Sequence, residues 1–133
     1  MATSFDVFMV TPEREVWSGK ATFVVARGSE GEVGILAGHA PMLIELGINP
    51  LFITTEEGER IAAAVDGGFL HVVSHGAQTR VDILAEYAEL ESEIDLDKAR
   101  LQEAEAERLL LERDNGAALA MLAKARSRIS LRG

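Results

Sequence analysis

The chain has 133 residues, of which 47% are hydrophobic and 26% are charged, a balance typical of a folded globular protein. Its formal net charge of -9 argues against direct binding to nucleic acid or to an anionic membrane surface, because phosphate groups would repel it. The chain has no cysteine, which excludes disulfide bonds, thiol catalysis and the usual structural zinc sites.

The sequence also lacks targeting and membrane-spanning patterns. Residues 1–4 have no basic stretch followed by an apolar run, so we expect no signal peptide. No apolar segment approaches the roughly 20 residues that a spanning helix needs, so we expect no direct membrane insertion. These patterns predict a cytoplasmic protein that reaches a membrane only through another protein.

The sequence predicts an α+β fold, with an N-terminal antiparallel β-sandwich in residues 1–86 and a C-terminal antiparallel two-helix hairpin in residues 87–133. In the first part, short apolar runs are separated by glycine-containing turns, which favours a sandwich over a sheet with crossover helices. Residues 21–26, which read ATFVVA, predict a strand that is apolar on both faces. The predicted strands are residues 5–9, 16–19, 21–26, 51–55, 60–65, 69–73 and 81–84, with hairpin turns at 56–59 and 75–77 and another turn at 66–68.

The second part has a helical pattern. Residues 96–113 contain no Gly or Pro and are rich in strong helix formers, so they predict a helix that Asp95 caps. Residues 114–116 (DNG) predict a stop and a turn, and residues 117–130 predict a second helix. Because the turn is short, the helices must lie antiparallel. The second helix is rich in alanine, which buries little apolar area, so we expect the hairpin to dock weakly.

We find no pattern for a catalytic or metal site. The histidines are His39, His71 and His75; the last two are four residues apart, but on a strand and its turn that spacing does not bring them to one ion. Acidic residues recur at positions 89, 91, 93, 95 and 97, and we interpret them as a solvated linker and helix start, with cation binding as the alternative. The glycines at 28, 31 and 34 lack the spacing of a phosphate-binding loop. The sequence therefore predicts a protein that is not an enzyme and holds no metal ion.

One long segment carries a resemblance to a known family. Residues 28–43, which read GSEGEVGILAGHAPML, resemble the most recognisable segment of F-type ATP synthase epsilon subunits, a G-E-[LVI]-G-I-[LY]-x-G-H-A-P-[LM]-L run. Three other segments agree with that family in the same order: residues 17–19 (WSG), 66–69 (DGGF) and 81–86 (VDILAE). The resemblance is to the bacterial type, which has a C-terminal helical hairpin, and it covers the whole chain.

The resemblance implies a non-catalytic rotor component of the proton-translocating ATP synthase. The sandwich would bind the foot of the gamma subunit and the polar loops of the membrane rotor ring, through Glu32, Gly38, His39 and Ala40 on the ring side. Independently of the family, glycines and a proline around a Glu and a His make a rigid loop that suits recognition. The alternative is that His39 is an ordinary loop histidine and that the glycines only serve turns. The protein would be a monomer when isolated and would lie on the cytoplasmic face of the cell (inner) membrane, held there by the complex.

For the hairpin, the resemblance implies a regulatory role. In bacterial relatives it lies folded on the sandwich, or it extends along gamma and blocks ATP hydrolysis. Some of them bind ATP through an [IL]-D-x-x-R-A motif, whose positions are taken here by Ile94, Asp95, Lys98 and Ala99. Lys98 replaces the arginine and lacks its bidentate fork, and Asp97 adds a negative charge beside it. No cofactor is required, and ATP is a candidate regulatory ligand.

The bases Lys124, Arg126 and Arg128 stand near the end of an otherwise acidic chain. We hypothesise that they contact an acidic segment of a catalytic beta subunit and hold the extended, inhibitory state, although each exposed contact is weak. The alternative is that they only complement the C-terminal end of the second helix.

Two functions from other classes give different expectations. A free-standing nucleotide sensor, whose hairpin folds around ATP, would be stabilised by nucleotide. A protein-interaction module with a helical dimerisation tail would be a homodimer. The rotor component would instead be a monomer that co-purifies with gamma.

Overall fold

A computed structural model describes residues 3–133. Residues 1 and 2, where the predicted sandwich begins and on which part of the signal-peptide prediction rests, lie outside the described residues. The described chain forms a seven-stranded sheet, a short 3-10 helix and two α-helices. The strands are β1 (Phe5–Val10), β2 (Glu15–Gly28), β3 (Gly31–Ile35), β4 (Met42–Thr55), β5 (Arg60–His75), β6 (Gln78–Ala85) and β7 (Ala88–Leu90), the 3-10 helix is Glu91–Glu93, and the helices are α1 (Leu96–Glu112) and α2 (Gly116–Arg132).

The strands form one sheet that folds into two layers. Their order is β1, β6, β5, β4, β2 and β3, with β7 added beside β5 and a further pairing of β1 with β2. The long strands pass through both layers: β5 pairs with β6 over residues 68–75 and with β7 over residues 63–65. The predicted antiparallel sandwich is confirmed, except that β1 and β6 run parallel.

We call the layer that contains β1 and β6 the first layer and the layer that contains β3 and β7 the second layer. Side chains that alternate along the strands fill the space between them, as the period of a strand requires. In β1, for example, Phe5, Val7 and Met9 are buried. The largest fully buried side chains include Phe5, Met9, Ile35, Leu51, Ile53, Leu70 and Ile83. One continuous apolar core therefore holds the sandwich together.

Two predictions about the second strand were wrong. Residues 16–19 and 21–26 belong to one strand, β2, which bends between the layers where its pairing with β4 is irregular. Residues 21–26 are not buried on both faces, because Phe23 is 36% exposed whereas Ala21 and Val24 are fully buried. In a two-layer fold one face of each strand packs against the core, and the other face contacts solvent or another element.

The turn predicted at residues 66–68 was also wrong, because these residues lie inside β5 and bend that strand between the layers. Gly67 and Gly68 have φ angles of 80° and 124°, which glycine adopts without steric cost. A Cβ at Gly68 would overlap the carbonyl oxygen of Leu84 on β6. At this bend Asp66 is buried, with 6% of its surface exposed.

The predicted helical hairpin is confirmed. Asp95 and Asn115 cap the two helices, since each side chain accepts a 3.1 Å hydrogen bond from the backbone N–H three residues on. The helices lie antiparallel, with Arg126 beside Glu103. The last strand, β7, lies beyond the predicted limit of the sandwich at residue 86, because it pairs with β5.

The bend in β5 predicts a large effect of Gly68→Ala. The added methyl group would overlap the Leu84 carbonyl oxygen, in a backbone conformation that other residues rarely adopt. We expect the free energy of unfolding to fall by at least about 3 kcal/mol. Gly58→Ala is the matched control, because its φ is 87° and nothing lies within 4 Å of the new methyl group. There we expect a loss of about 1–2 kcal/mol, measured by urea unfolding; equal losses in both variants would contradict the clash.

Candidate interaction sites

The helical hairpin covers the outer face of the second layer. α2 packs against β4 and β5. On β5, Ala62 and Ala64 are buried although they lie outside the core between the layers. The buried apolar residues of the helices are also small: Ala99, Ala106, Ala118 and Ala125. Alanines on both sides let helix and sheet approach closely, but they bury little apolar area, so the apolar contribution to docking is small.

Arg128 of α2 makes the main polar contact between helix and sandwich. Its two terminal nitrogens donate to the two carboxylate oxygens of Asp66, at 2.9 and 2.8 Å, and its Nε donates to Glu89 at 2.6 Å. A fourth hydrogen bond, of 3.0 Å, goes to the carbonyl oxygen of Lys124. The side chains of Arg128 and Asp66 are 9% and 6% exposed, so these two charges are almost wholly removed from water, whereas the Glu89 side chain is 18% exposed. We call Arg128, Asp66 and Glu89 the buried ion-pair group.

The charges of this group stabilise one another. Burial by itself lowers the pKa of the Arg128 guanidinium, but the hydrogen bonds and negative charges of Asp66 and Glu89 outweigh burial and raise that pKa above its ordinary value. The guanidinium carbon also lies 5.9 Å from the centre of the Tyr87 ring. A buried charge that loses its partner is strongly destabilising. The group therefore fixes one position of α2 on the sandwich.

A second ion pair ties the linker between sandwich and hairpin to the β1–β2 turn. Arg14 donates two hydrogen bonds of 2.8 Å to Glu93, and the backbone N–H of Leu90 donates a third. These bonds, first that from Arg14, lower the pKa of Glu93, so their stabilisation is present at neutral pH and is lost as the pH falls through the folded-state value. The interpretation of the acidic run as solvated was therefore wrong for Glu89, which is half-buried, whereas Glu93 is exposed although it is paired.

Three of the four residues of the predicted ATP motif lie at one cavity. Asp95, Lys98 and Ala99 line a cavity of about 370 Å³ beside the buried ion-pair group. Ile94 does not line it and is 6% exposed. The charged residues of the cavity are the acids Asp66, Glu89, Glu93 and Asp95 and the bases Lys98, Lys124 and Arg128. The acids thus outnumber the bases in this lining, and ATP binding there stays a prediction.

The three bases predicted to contact a beta subunit have different environments. Lys124 is exposed. Arg126 is 57% exposed at its side chain and lies 3.4 Å from Glu103 of α1. Arg128 is buried against the sandwich. Contact between Arg128 and another subunit therefore requires that the hairpin first leaves the sandwich.

The residues predicted to face a rotor ring lie at two places. Gly38, His39 and Ala40 belong to the loop between β3 and β4, whereas Glu32 lies on β3 and not in that loop. The loop is held in place by a 2.8 Å hydrogen bond from the Gly38 N–H to Thr79, and by a 2.9 Å bond from Ser74 to the His39 carbonyl oxygen. The His39 ring also lies 2.7 Å from the Ala40 carbonyl oxygen. These hydrogen bonds give the predicted rigidity of the loop a physical basis. Contact between the loop and a membrane rotor ring stays a prediction.

The described residues contain no arrangement typical of a metal centre. Across residues 3–133, no three His, Asp or Glu side chains are grouped so that they could hold a metal ion. His71 and His75 are both exposed. Within the same range, neither helix is long and apolar enough to cross a bilayer.

Sequence reasoning missed Asp66 and Glu89 as partners of Arg128. A signal was present for Asp66, because it directly follows residues 61–65 (IAAAV), an apolar run that predicts a buried strand. An acid at the end of such a run needs a base or hydrogen-bond donors. Nothing in the sequence indicates that this base lies 62 residues further on.

The fold and these contacts define a two-part α+β protein in which a charged group holds a helical hairpin on a β-sandwich. The family model described as the beta-sandwich domain of the ATP synthase delta/epsilon chain matches residues 4–91. The chain therefore belongs to the ATP synthase delta/epsilon chain family.

Bacterial ATP synthase epsilon chains are among its relatives. The chain is 47% identical to that of Streptomyces avermitilis over 70 residues, which are 53% of this chain and 56% of the relative. It is 52% identical to that of Rhodococcus jostii over 69 residues, which are 50% of this chain and 55% of the relative. The chain thus spans about half the length of the curated relatives it matches.

The whole fold, hairpin included, is similar to solved structures. A chain of the mitochondrial ATP synthase of Euglena gracilis, from a structure of OSCP, F1 and c-ring, superposes with a TM-score of 0.83 and covers 100% of this chain and 84% of that chain at 22% identity. A chain of the central stalk and c-ring of the Tetrahymena thermophila enzyme gives a TM-score of 0.56 at 18% identity, covering 98% of this chain and 94% of that chain. At these identities the likeness shows the fold alone.

The buried ion-pair group predicts that Arg128→Ala loosens the hairpin. The change leaves two carboxylates without their base, so we expect docking to weaken by about 3–5 kcal/mol. Amide hydrogen exchange of α2, followed by mass spectrometry, should become at least about a hundred-fold faster, while the first layer stays protected.

Arg126→Ala is the matched control for this experiment. It removes a guanidinium from the same helix, but its ion pair is exposed. We expect a loss below about 1 kcal/mol, hence less than about five-fold faster exchange. Equal exchange rates in the two variants would contradict the special role of Arg128.

Proposed function

We propose that this chain is the epsilon subunit of a bacterial F-type ATP synthase, a non-catalytic part of the central stalk. Its family membership supports this proposal, as do the epsilon chains among its relatives. In this role it couples the gamma subunit to the membrane rotor ring during ATP synthesis. It inhibits ATP hydrolysis through its C-terminal helices.

In the proposed role the sandwich transmits torque, which requires a stiff body. Its continuous core, its closed strand order and the hydrogen bonds that hold the loop at Gly38 and His39 supply that stiffness. The loop presents the His39 region to the polar loops of the ring, and Glu32 on β3 adds a carboxylate. Both the loop and β3 are exposed enough to accept a partner.

The proposed regulatory role rests on the contacts that hold the hairpin on the sandwich. Small alanines form the apolar contact with the sandwich, and one buried ion-pair group supplies the strong polar contact. Such a contact defines a single docked position without burying much apolar area. The hairpin can therefore leave the sandwich as a unit once Arg128 finds other acidic partners.

An acidic segment of a catalytic beta subunit would provide such partners in the extended state. There Lys124, Arg126 and Arg128 would contact the beta subunit from two sides of the helix, because Arg126 points away from the side that carries Lys124 and Arg128. In the docked state Arg126 and Arg128 are paired within the chain. The same arginine would thus stabilise the docked and the inhibitory state in turn. We place the protein on the cytoplasmic face of the inner membrane as a peripheral part of the complex, and we expect a monomer when it is isolated.

The regulatory role predicts that deletion of residues 114–133 raises ATP hydrolysis. The deletion removes α2 and with it the bases proposed to hold the inhibitory state. The measurement is the rate of ATP hydrolysis by the whole complex, assembled with the full-length or the shortened chain. The control is Arg126→Ala alone, which should raise the rate less. An unchanged rate in the deletion variant would refute inhibition by the hairpin.

A regulatory ATP site is the second candidate function. It is favoured by the cavity that joins Asp95, Lys98 and Ala99 with Lys124. The excess of acids in the same cavity, and the occupation of Arg128 by Asp66 and Glu89, oppose it.

Isothermal titration of the isolated chain with magnesium-free ATP tests this site. We expect no saturable heat below about 1 mM ATP, because the acids of the cavity outnumber its bases and Arg128 is already bound to Asp66 and Glu89. Saturable heat at micromolar ATP would contradict this expectation. It would make ATP a regulatory ligand of the docked hairpin.

A further inference from the structure

Helix α2 contains a buried polar group without a hydrogen bond. Ser127 is 6% exposed, and its hydroxyl oxygen finds no hydrogen-bond partner among residues 3–133. A hydroxyl group that loses water without a replacement destabilises the state in which it is buried. The next residue is Arg128, whose guanidinium is bound to Asp66 and Glu89 in the same state. Docking of α2 therefore satisfies one of two neighbouring side chains and leaves the other unsatisfied.

A serine inside a helix ordinarily finds an acceptor in the helix itself. Its hydroxyl can donate to the carbonyl oxygen three or four residues before it. Ser130 does so in α2, where its hydroxyl donates to the Ser127 carbonyl oxygen at 2.6 Å. For Ser127 the equivalent acceptor, three residues before it, is the carbonyl oxygen of Lys124. Neither this oxygen nor that of Ala123, four residues before, receives the Ser127 hydroxyl.

The carbonyl oxygen of Lys124 is already fully used by Arg128. The backbone N–H of Arg128 donates to it, as the hydrogen bonding of an α-helix requires. The Nη1 of Arg128 donates a second hydrogen bond, of 3.0 Å, to the same oxygen. Because a carbonyl oxygen has two lone pairs, no acceptor position remains there for Ser127. This Nη1 also donates to Asp66 at 2.9 Å, so the guanidinium that docks on the sandwich is the group that occupies the oxygen.

We propose that Ser127 and Arg128 compete for the Lys124 carbonyl oxygen, and that this competition weakens the docking of the hairpin. In the docked state Arg128 holds the oxygen, and the Ser127 hydroxyl has no partner. When α2 leaves the sandwich, the guanidinium loses Asp66, which had fixed its position, and the oxygen becomes available to Ser127. Part of the stabilisation by the buried ion-pair group is therefore offset within the same helix.

The competition gives the hairpin a docked state that is easily left. The alanines of the contact bury little apolar area, so the docked fraction depends on the difference between what Arg128 stabilises and what Ser127 destabilises. The regulatory meaning of this balance rests on the proposed function, in which the released hairpin inhibits ATP hydrolysis. The competition itself is a property of the isolated chain.

Amide hydrogen exchange of α2 in the isolated full chain tests the competition. Ser127→Ala removes the unsatisfied hydroxyl, and we expect α2 to exchange about ten-fold more slowly. Ser130→Ala is the matched control, because it also replaces a serine of α2 by alanine, but the Ser130 hydroxyl already has a partner. We expect exchange in this control to stay within about three-fold of the unaltered chain.

A double variant separates competition from helix propensity, since alanine favours a helix more than serine does in any background. In a chain that carries Arg128→Ala the Lys124 carbonyl oxygen is free whether or not α2 is docked. We therefore expect Ser127→Ala to change exchange by less than about three-fold in that chain. Equal slowing in both backgrounds would overturn the proposal, because helix propensity would then explain it. Unchanged or faster exchange of Ser127→Ala alone would also overturn it, because the hydroxyl would then be satisfied in the docked state.

ATP hydrolysis by the whole complex tests the regulatory meaning separately. Because Ser127→Ala favours the docked hairpin, we expect it to raise the rate of hydrolysis, whereas Ser130→Ala should leave the rate unchanged. Slower exchange of α2 in Ser127→Ala together with an unchanged rate of hydrolysis would support the competition and contradict the proposed inhibition by the hairpin.

Discussion

The relation between the two parts of this protein depends on one buried arginine. Arg128 lies on α2 and forms a fork with Asp66, while its Nε reaches Glu89. Removal of Arg128 and Asp66 from water is favourable only when each is paired, so the contact stabilises one arrangement of α2 and destabilises displaced ones. The sheet must bend at Gly67 and Gly68 to bring Asp66 to this position. The bend in β5 and the docking of the helix are thus parts of one constraint.

This constraint explains how a stiff body and a movable part coexist in a short chain. The sandwich has its own apolar core, which does not include the helices. The helices contact it through alanines and charges, and the second ion pair, between Arg14 and Glu93, keeps the linker in place. Detachment of α2 therefore leaves the core of the sandwich intact and uncovers only the outer face of the second layer. A rotor subunit with a regulatory arm, as proposed here, requires this independence.

The sequence contained much of the fold. The change from short apolar runs to an alanine-rich helical pattern located the two parts, and Asp95 and the DNG turn located the helix ends within a few residues. The continuity of the long strands was harder to predict, because the sequence of a strand that bends through two layers resembles that of two strands or of a turn. This is why β2 was divided and the bend at residues 66–68 was misread. Local patterns do not contain the three-dimensional path of a long strand.

The interaction sites were less accessible to sequence reasoning than the fold. Arg128 was recognised as a base available to a partner, but its pairing with Asp66 joins residues 62 positions apart, which no local spacing reveals.

A double-mutant cycle measures the pairing of Arg128 with Asp66 most directly. Spin labels on cysteines introduced at Glu57 and Arg113, in a chain that has no cysteine of its own, report the distance between sandwich and hairpin. We expect one narrow distance in the otherwise unaltered chain, a broad distribution in Asp66→Ala and in Arg128→Ala, and little further change in the double variant. Narrow distances in both single variants, or fully additive effects in the double variant, would show that this ion pair does not hold the hairpin.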